Sequence, residues 1–300
     1  LTACTSGDGN IAIGYQAGLA ITTSPQNILI GYDAGKTLTG TGGENIFIGY
    51  GAGEDADQAN TAAIRNVYIG NSAGNNLDDG AYNVAVGHKA MFSTGGVNNA
   101  TYNVAVGLNA LLAITTGTNS VAIGSGAGDS ITTGASNTTV GKGSGESLVD
   151  GNYNVFVGES AGSGLDAESN NVAIGRQALK VTGAIANAVV IGYQAVSNDN
   201  IETGANGLVA IGYQAAKSIT TGARNTAIGY TVMDALTVGS DNLAIGYDAM
   251  GALSTVASSQ RNIAIGNYAM DGVSALAATE NVFIGYHSGG GGWTGTLSEK

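Results

Sequence analysis

Few side chains in this sequence could carry out acid–base, nucleophilic or metal chemistry. His88 and His287 are its only two histidines, and 198 residues separate them (287 − 88 − 1). Each stands one or two residues after a recurrent glycine, at positions that tyrosine often occupies. We therefore interpret both as surface residues, and we expect neither a shared metal site nor a catalytic histidine pair.

Two acidic clusters are the other candidates for chemistry. Glu54, Asp55 and Asp57 form one, and Asp78 and Asp79 form the second. Paired carboxylates could hydrolyse glycosidic bonds, and aspartates together with backbone carbonyls could bind Ca²⁺. No groove-forming aromatic residues accompany either cluster, and the calcium repeat Gly-Gly-x-Gly-x-Asp is absent. We interpret both clusters as solvated turn residues.

Motifs of known enzyme and cofactor sites are absent. We find no nucleophile elbow, phosphate loop, dinucleotide fingerprint or zinc-ligand spacing. Residues 124–126 and 141–145 are glycine-rich, but a repeat accounts for each of these glycines. Cys4 is the only cysteine, so no internal disulfide is possible. We predict that the chain is not an enzyme and has no catalytic residue, metal or cofactor.

Composition favours a tightly turning β structure and argues against several partners. There are 50 glycines and one proline, 43% of residues are hydrophobic and 11% are charged, against about 25% charged in a typical soluble domain. The net charge of −12 repels nucleic-acid phosphates and anionic lipid headgroups. Because no apolar run reaches about 18 residues, we expect no membrane insertion.

The glycines mark a short repeat that runs through most of the chain. An Ile or Val precedes a recurrent glycine, here called the anchor glycine, in all sixteen copies, and successive anchors are most often 17 residues apart. Asn stands four residues before the anchor in thirteen copies, and Ala stands three residues after it in thirteen. This Asn is a turn residue that tolerates the left-handed conformation and could form a ladder between coils. The anchors are Gly14, Gly31, Gly49, Gly70, Gly87, Gly107, Gly124, Gly141, Gly158, Gly175, Gly192, Gly212, Gly229, Gly246, Gly266 and Gly285.

A unit of 17 residues is too short for a pair of helices and suits one coil of a β-solenoid. We predict an all-β parallel β-solenoid (β-roll) of about sixteen coils, roughly 75 Å long. Its expected parts are a lead-in segment (1–9), a repeat domain (10–288) and a glycine-rich hinge and tail (289–300). Insertions in residues 54–65, 93–102 and 197–207 are expected to bulge outward as loops. A second apolar position follows the anchor by seven residues, at Ile21, Leu38, Leu77, Ile114, Ile131, Leu148, Leu165, Ile219, Leu236, Leu253 and Val273.

The strand of each repeat is apolar on both faces. The residues one and three positions before the anchor share a face, and we predict that they form the core of the coil together with the second apolar position. The residue between them is apolar in all copies except at Thr139, and we predict that it points outward to a subunit interface, most simply in a homotrimer. A dimer or a continuous filament are the alternatives. The expected interface residues include Phe47, Tyr68, Phe156 and Phe283.

Tyrosine directly follows the anchor in eight copies, and neighbouring coils are predicted to stack these rings into a column. The column could bind carbohydrate, but subunit packing with the hydroxyl at the rim is the favoured interpretation. Residues 71–176 interrupt it. Thr pairs such as Thr22-Thr23 and Thr115-Thr116 are similar to ice-binding arrays, but intervening coils break the pattern. The column consists of Tyr15, Tyr32, Tyr50, Tyr193, Tyr213, Tyr230, Tyr247 and Tyr286.

The consensus Asn-x-Ala-Ile-Gly-Tyr-x-Ala, clearest in residues 10–17, 225–232 and 242–249, resembles the head repeats of trimeric autotransporter adhesins (YadA-like heads) and the repeats of bacteriophage tail fibres. The resemblance runs from Asn10 to Ser288, although these coils are longer than the usual adhesin-head coil and no neck, coiled coil, tip domain or membrane anchor is recognised. It implies a left-handed β-roll that forms an intertwined or side-by-side homotrimer. It also implies an extracellular or virion-borne shaft that displays a receptor-binding region for a cell-surface glycan or protein. A self-assembling filament and a polysaccharide-degrading solenoid are the alternative functions.

Overall fold

The computed structural model describes residues 4–39, 41–55, 63–93, 98–198, 201, 204–253, 259–272, 278–291 and 297–298. These residues form short parallel strands and no helix, so the predicted all-β parallel solenoid is confirmed. The chain divides into two compact units, Leu1–Tyr153 and Asn154–Lys300.

Each unit contains a ladder of eight three-residue strands. The first unit consists of β1 (Ile11–Ile13), β2 (Ile28–Ile30), β3 (Ile46–Ile48), β4 (Val67–Ile69), β5 (Val84–Val86), β6 (Val104–Val106), β7 (Val121–Ile123) and β8 (Thr138–Val140). The second consists of β9 (Val155–Val157), β10 (Val172–Ile174), β11 (Val189–Ile191), β12 (Val209–Ile211), β13 (Thr226–Ile228), β14 (Leu243–Ile245), β15 (Ile263–Ile265), β16 (Ala278–Thr279), β17 (Val282–Ile284) and β18 (Leu297–Ser298). Within it, β16 pairs with β18, and the other eight strands form the ladder.

Consecutive ladder strands of a unit pair in parallel and without an offset. Ile11 lies opposite Ile28 and Ile13 lies opposite Ile30, and the same register recurs along both ladders. Backbone hydrogen bonds continue beyond the strands, as where the N–H of Gly31 donates to the carbonyl of Ile13 at 2.8 Å. In-register stacking therefore turns each position of the repeat into a column that passes from coil to coil.

The anchor glycine bends the chain at the end of each strand. All sixteen anchors have φ between 124° and 149°, a region that side chains rarely adopt. A Cβ built on Gly212 would overlap the carbonyl of Gly229 in the next coil. Successive anchors within a unit therefore lie next to one another, as predicted, and the position requires glycine for both its conformation and its space.

Three further positions in every coil have left-handed backbones: the residue before the recurrent Asn and the residues two and four positions after the anchor. Their φ values lie between 49° and 74°. Most are not glycine; Gln26, Arg65 and Tyr102 are examples of the first position. The recurrent Asn, expected as a turn residue that tolerates this conformation, is not itself the left-handed residue; its predecessor takes the turn conformation, and the Asn side chain bonds along the stack.

The buried Asn side chains join each coil to the next. Asn45 accepts a hydrogen bond on Oδ1 from the backbone N–H of Asn66 at 2.9 Å, and its own N–H donates to Oδ1 of Asn27 at 3.1 Å. Its Nδ2 also donates to the carbonyl of Ala63 at 3.0 Å. Similar bonds link Asn242 and Asn262 in the second unit. The predicted Asn ladder is confirmed.

Removing one Asn from this ladder should destabilise the solenoid. In Asn45→Ala, the N–H of Asn66 and the carbonyl of Ala63 lose a buried partner. We expect the free energy of unfolding to fall by about 2–4 kcal/mol, since each orphaned buried group costs roughly 1–3 kcal/mol. Urea titration followed by circular dichroism measures this change. Asn71→Ala, at an exposed site outside the ladder, is the control and should stay within about 0.5 kcal/mol of the wild type; equal losses in the two variants would contradict this account.

The middle residue of each strand, and not its two neighbours, faces the interior of the coil. Leu29, Phe47 and Ala210 have no exposed surface, whereas the flanking Ile and Val side chains are half-buried or exposed. The second apolar position packs inside, as predicted, at each of its described members; Val273 lies outside the described residues. The predicted assignment of the two strand faces was therefore inverted. The interior of a small coil has room for one strand side chain, and Ala fills that position in nine copies.

Two core positions of each coil vary in size together: the middle strand residue and the residue four positions after the anchor. Where the middle strand residue is large, as at Phe47, Tyr68 and Phe156, the residue four positions after the anchor is glycine. A Cβ on Gly162 would overlap the ring of Phe156. Where the middle residue is Ala, the same position is Met or Leu in six of nine copies, and these side chains are fully buried. The two positions therefore fill one shared volume.

This exchange of volume can be tested with a double-mutant cycle at Phe156 and Gly162. We expect Phe156→Ala to lower the free energy of unfolding by about 3–5 kcal/mol through the cavity it leaves. Gly162→Leu alone should also destabilise, because its side chain would overlap the ring. The double variant should recover most of the loss, since Leu179 holds the equivalent position beside Ala173 in the next coil. Denaturant unfolding measures the cycle, and additive losses would contradict a shared volume.

The prediction that the insertions bulge outward concerns segments that lie partly outside the described residues, at 56–62, 94–97, 199–200 and 202–203. The described residues at their margins return to the interior. Ala63, Ala100, Ile201 and Ala205 are buried. The core of these longer coils therefore includes residues from the insertions themselves, which the 17-residue register did not anticipate.

Candidate interaction surface

The flanking residues of the strands form a continuous apolar surface on one side of each unit, here called the aliphatic face. Ile or Val occupies the position before the anchor in all sixteen coils. The exposed fraction is 66% at Ile284, 58% at Ile13 and 42% at Ile123. Because the register has no offset, these side chains form two parallel columns. Thr138 and Thr226 are the only polar residues at these two positions of the repeat.

The tyrosine column lies next to this face in the sequence, separated from it by the anchor glycine. The prediction that its rings stack is confirmed in both units. In the first, Tyr15 stacks on Tyr32 with centroids 4.9 Å apart, and Tyr32 stacks on Tyr50 at 5.2 Å. In the second, Tyr213 stacks on Tyr230 at 4.6 Å. Each ring inside a stack covers the faces of its neighbours, which leaves edges and hydroxyls for solvent.

Sequence reasoning missed the aromatic contacts of Tyr82, Tyr102 and Tyr268. Tyr82 and Tyr102, which precede the recurrent Asn, stack at 4.9 Å. Tyr268, two positions after its anchor, meets Tyr247 edge-on at 5.2 Å and so extends the second column. Both sets of contacts follow from the shared register of the coils. The tyrosines at the position before the recurrent Asn were the sequence signal that could have predicted a second column.

Opposite charges alternate along the column that precedes the Asn. Arg65 pairs with Glu44 at 2.9 Å, Arg224 with Asp241 at 2.6 Å, and Arg261 with Glu280 at 2.8 Å. Hydrogen bonding to Arg224 lowers the pKa of Asp241, and Arg65 lowers that of Glu44 in the same way. All six side chains are exposed, so each pair adds little stability.

The four aromatic residues predicted at a subunit interface do not lie on the surface as a group. Phe47, Tyr68 and Phe156 are fully buried inside their coils, and Phe283 is half-buried. Phe47 and Tyr68 stack with centroids 4.8 Å apart in the interior. That prediction was wrong for the three buried rings because it placed the middle strand residue outside. The exposed apolar surface is instead supplied by the β-branched flanking residues.

The histidines and acidic residues considered for catalysis or metal binding do not come together in one site. His88 is exposed in the first unit and His287 in the second. Glu54 pairs with Lys36 at 3.4 Å, and Asp57 lies outside the described residues. Within the described ranges, no three His, Cys, Asp or Glu side chains are placed to hold a metal ion, and no helix is long and apolar enough to cross a membrane. Thr22 and Thr115 donate their hydroxyls to carbonyls of the next coil, so these threonines serve stacking.

Acidic residues gather at one corner of successive coils in the second unit. Partial burial, followed by the charge of Asp248, raises the pKa of Asp234. Burial and then the charge of Asp271 raise the pKa of Asp248. In the first unit, burial and Glu146 raise the pKa of Asp129. When they are ionised at neutral pH, these carboxylates destabilise the folded state. This destabilisation disappears as the pH falls through their raised pKa values.

Neutralising the central carboxylate of this corner should therefore stabilise the chain at neutral pH. We expect Asp248→Asn to raise the free energy of unfolding at pH 7 by less than about 1 kcal/mol, because the corner is largely solvated. The advantage should shrink as pH falls into the range where Asp248 itself becomes protonated. Thermal unfolding at several pH values measures the difference. A variant that is less stable at pH 7, or an advantage that grows in acid, would contradict the assigned direction.

Comparison with known proteins adds no identification. No protein-family model matches this chain, and no curated protein matches it significantly.

Proposed function

We propose that this chain is the structural shaft of an extracellular attachment fibre, carried by a virion or a bacterial cell, and that it assembles as a homotrimer through its aliphatic face. The observation that carries the proposal is the unbroken column of half-buried or exposed Ile and Val side chains before the anchor glycines. Contiguous apolar surface of this kind marks an interaction site in soluble proteins. A second and third copy of the same chain can cover it coil for coil, because each copy repeats the same spacing.

The size of the face supports a stable contact. An eight-strand ladder with about 4.8 Å between strands is roughly 34 Å long. Burial of apolar area yields about 25 cal/mol per Å², and two columns of β-branched residues supply that area throughout. The resemblance to trimeric adhesin heads and phage fibres favours three copies over two.

The distribution of the repeat's roles favours a shaft over an enzyme. Anchor glycines, Asn side chains and interior residues all serve the stacking of coils, and the described arginines pair with acids of neighbouring coils. Solenoids deliver length, since each coil contacts mainly its neighbours. A receptor-binding region displayed by such a shaft would recognise a cell-surface glycan or protein.

Assembly through the aliphatic face predicts the mass of a trimer, and charged substitutions on that face should give monomers. Light scattering should give three times the 29.5 kDa of one chain. Ile191→Lys combined with Ile211→Lys should give monomers with an unchanged β-sheet spectrum, because a charge buried in the contact is unfavourable. Val189→Thr with Val209→Thr is the matched control on the same face and should remain trimeric, as Thr138 and Thr226 already fit there. A wild-type monomer would refute the trimer, and species that grow with concentration would favour a filament.

A direct assay distinguishes a shaft from a depolymerase. Purified chain is incubated with bacterial surface polysaccharides, and the products are separated by size. We expect binding or no effect, without release of oligosaccharides. Shortened polysaccharide would contradict the structural role and favour an enzyme.

A further inference from the structure

The tyrosine column brings phenol rings of neighbouring coils into contact at the surface. Tyr213 and Tyr230 stack with centroids 4.6 Å apart and planes 12° apart, and Tyr230 and Tyr247 stack at 5.4 Å and 7°. In the first unit, Tyr32 and Tyr50 stack at 5.2 Å and 6°. Exposure of 49% at Tyr230 and 56% at Tyr50 leaves the rings accessible to small reagents.

We propose that these stacked neighbours are sites of intrachain dityrosine cross-linking by one-electron oxidants. The proposal needs only two accessible phenols held side by side by the backbone register, and it does not depend on the proposed trimer. Tyr82 and Tyr102, stacked at 4.9 Å in the column of residues that precede the recurrent Asn, form a further site of the same kind.

The reaction balances as follows. Each of two phenols loses one electron and its hydroxyl proton to give a tyrosyl radical. The two radicals form one carbon–carbon bond between ring carbons next to the hydroxyls. The hydrogens on those carbons then move to the oxygens and restore two phenols, so the product has lost two hydrogen atoms in total. With persulfate as the final acceptor, the two electrons convert one persulfate into two sulfates.

Such cross-links would join successive coils covalently. A solenoid can open coil by coil from an end, because each repeat is held mainly by its neighbours. A bond between Tyr213 and Tyr230 closes a loop of one coil and restricts the unfolded chain, as a disulfide does. Oxidation would therefore increase the stability of the shaft without changing its fold.

The test uses the full chain, a light-activated ruthenium complex and persulfate at low protein concentration. We expect blue dityrosine fluorescence, a single-chain band on a denaturing gel and a rise in the thermal midpoint of about 5 °C or more. Trypsin separates Tyr213, in residues 181–217, from Tyr230, in residues 225–261. Mass spectrometry should therefore find these two peptides joined with the loss of two hydrogens.

Two phenylalanine variants locate the reaction. Tyr230→Phe keeps the ring stack but removes the phenol, and it should abolish the 181–217 to 225–261 link while the link between residues 1–36 and 37–65 remains. Tyr153→Phe is the control, because Tyr153 is exposed and stacks on no other tyrosine in the part of the chain that the structure describes, and it should leave all links unchanged. The proposal is overturned if cross-links are equally abundant in the urea-unfolded chain, if they join only separate chains, or if Tyr230→Phe leaves the mapped link intact.

Discussion

The constraint on which the structure depends is the exact superposition of each coil on the next. A coil of about 17 residues cannot bury its interior or satisfy its own backbone, so its hydrogen-bonding groups turn toward neighbouring coils. Parallel pairing without an offset satisfies them, and it repeats every position in a column. The anchor glycines permit this approach, because a side chain on Gly212 would meet the backbone of Gly229.

The Asn ladder shows how strictly that register is used. Each buried Asn is both acceptor and donor between coils, so one missing side chain leaves two groups unpaired. The exceptions keep part of the ladder. Ser120 replaces one Asn, and its Oγ accepts a hydrogen bond from the backbone N–H of Asn137 at 3.2 Å. Ala188 and Leu208 replace Asn in two successive coils of the second unit and are both buried, and the backbone N–H of Ala188 still donates to Oδ1 of Asn171 at 3.0 Å.

The sequence predicted the architecture because its strongest signal, the spacing of the anchors, is itself the coil. It could not assign the two faces of the strand, because Ile and Val flank a residue that is also apolar. Two residue-level signals pointed to the correct assignment of the faces. Ala is frequent at the middle position, and the pair Phe156 and Gly162 in one coil is replaced by Ala173 and Leu179 in the next. Both reveal a confined interior volume. The left-handed residues, such as Gln26 and Arg65, leave no signature, since the fold imposes that conformation on ordinary side chains.

A pair of engineered cysteines tests the register most directly. In a Cys4→Ser background, Ile211→Cys and Ile228→Cys are opposite each other on the same face of adjacent strands. Paired strands lie about 4.8 Å apart, which falls within the Cα separation of about 4.4–6.8 Å that a disulfide needs. Ile211→Cys with Ala227→Cys places the two thiols on opposite faces. Mild oxidation followed by mass spectrometry should find an intrachain disulfide in the first pair and free thiols in the second. A disulfide in the second pair but not the first would show a slipped register and contradict the stacked solenoid.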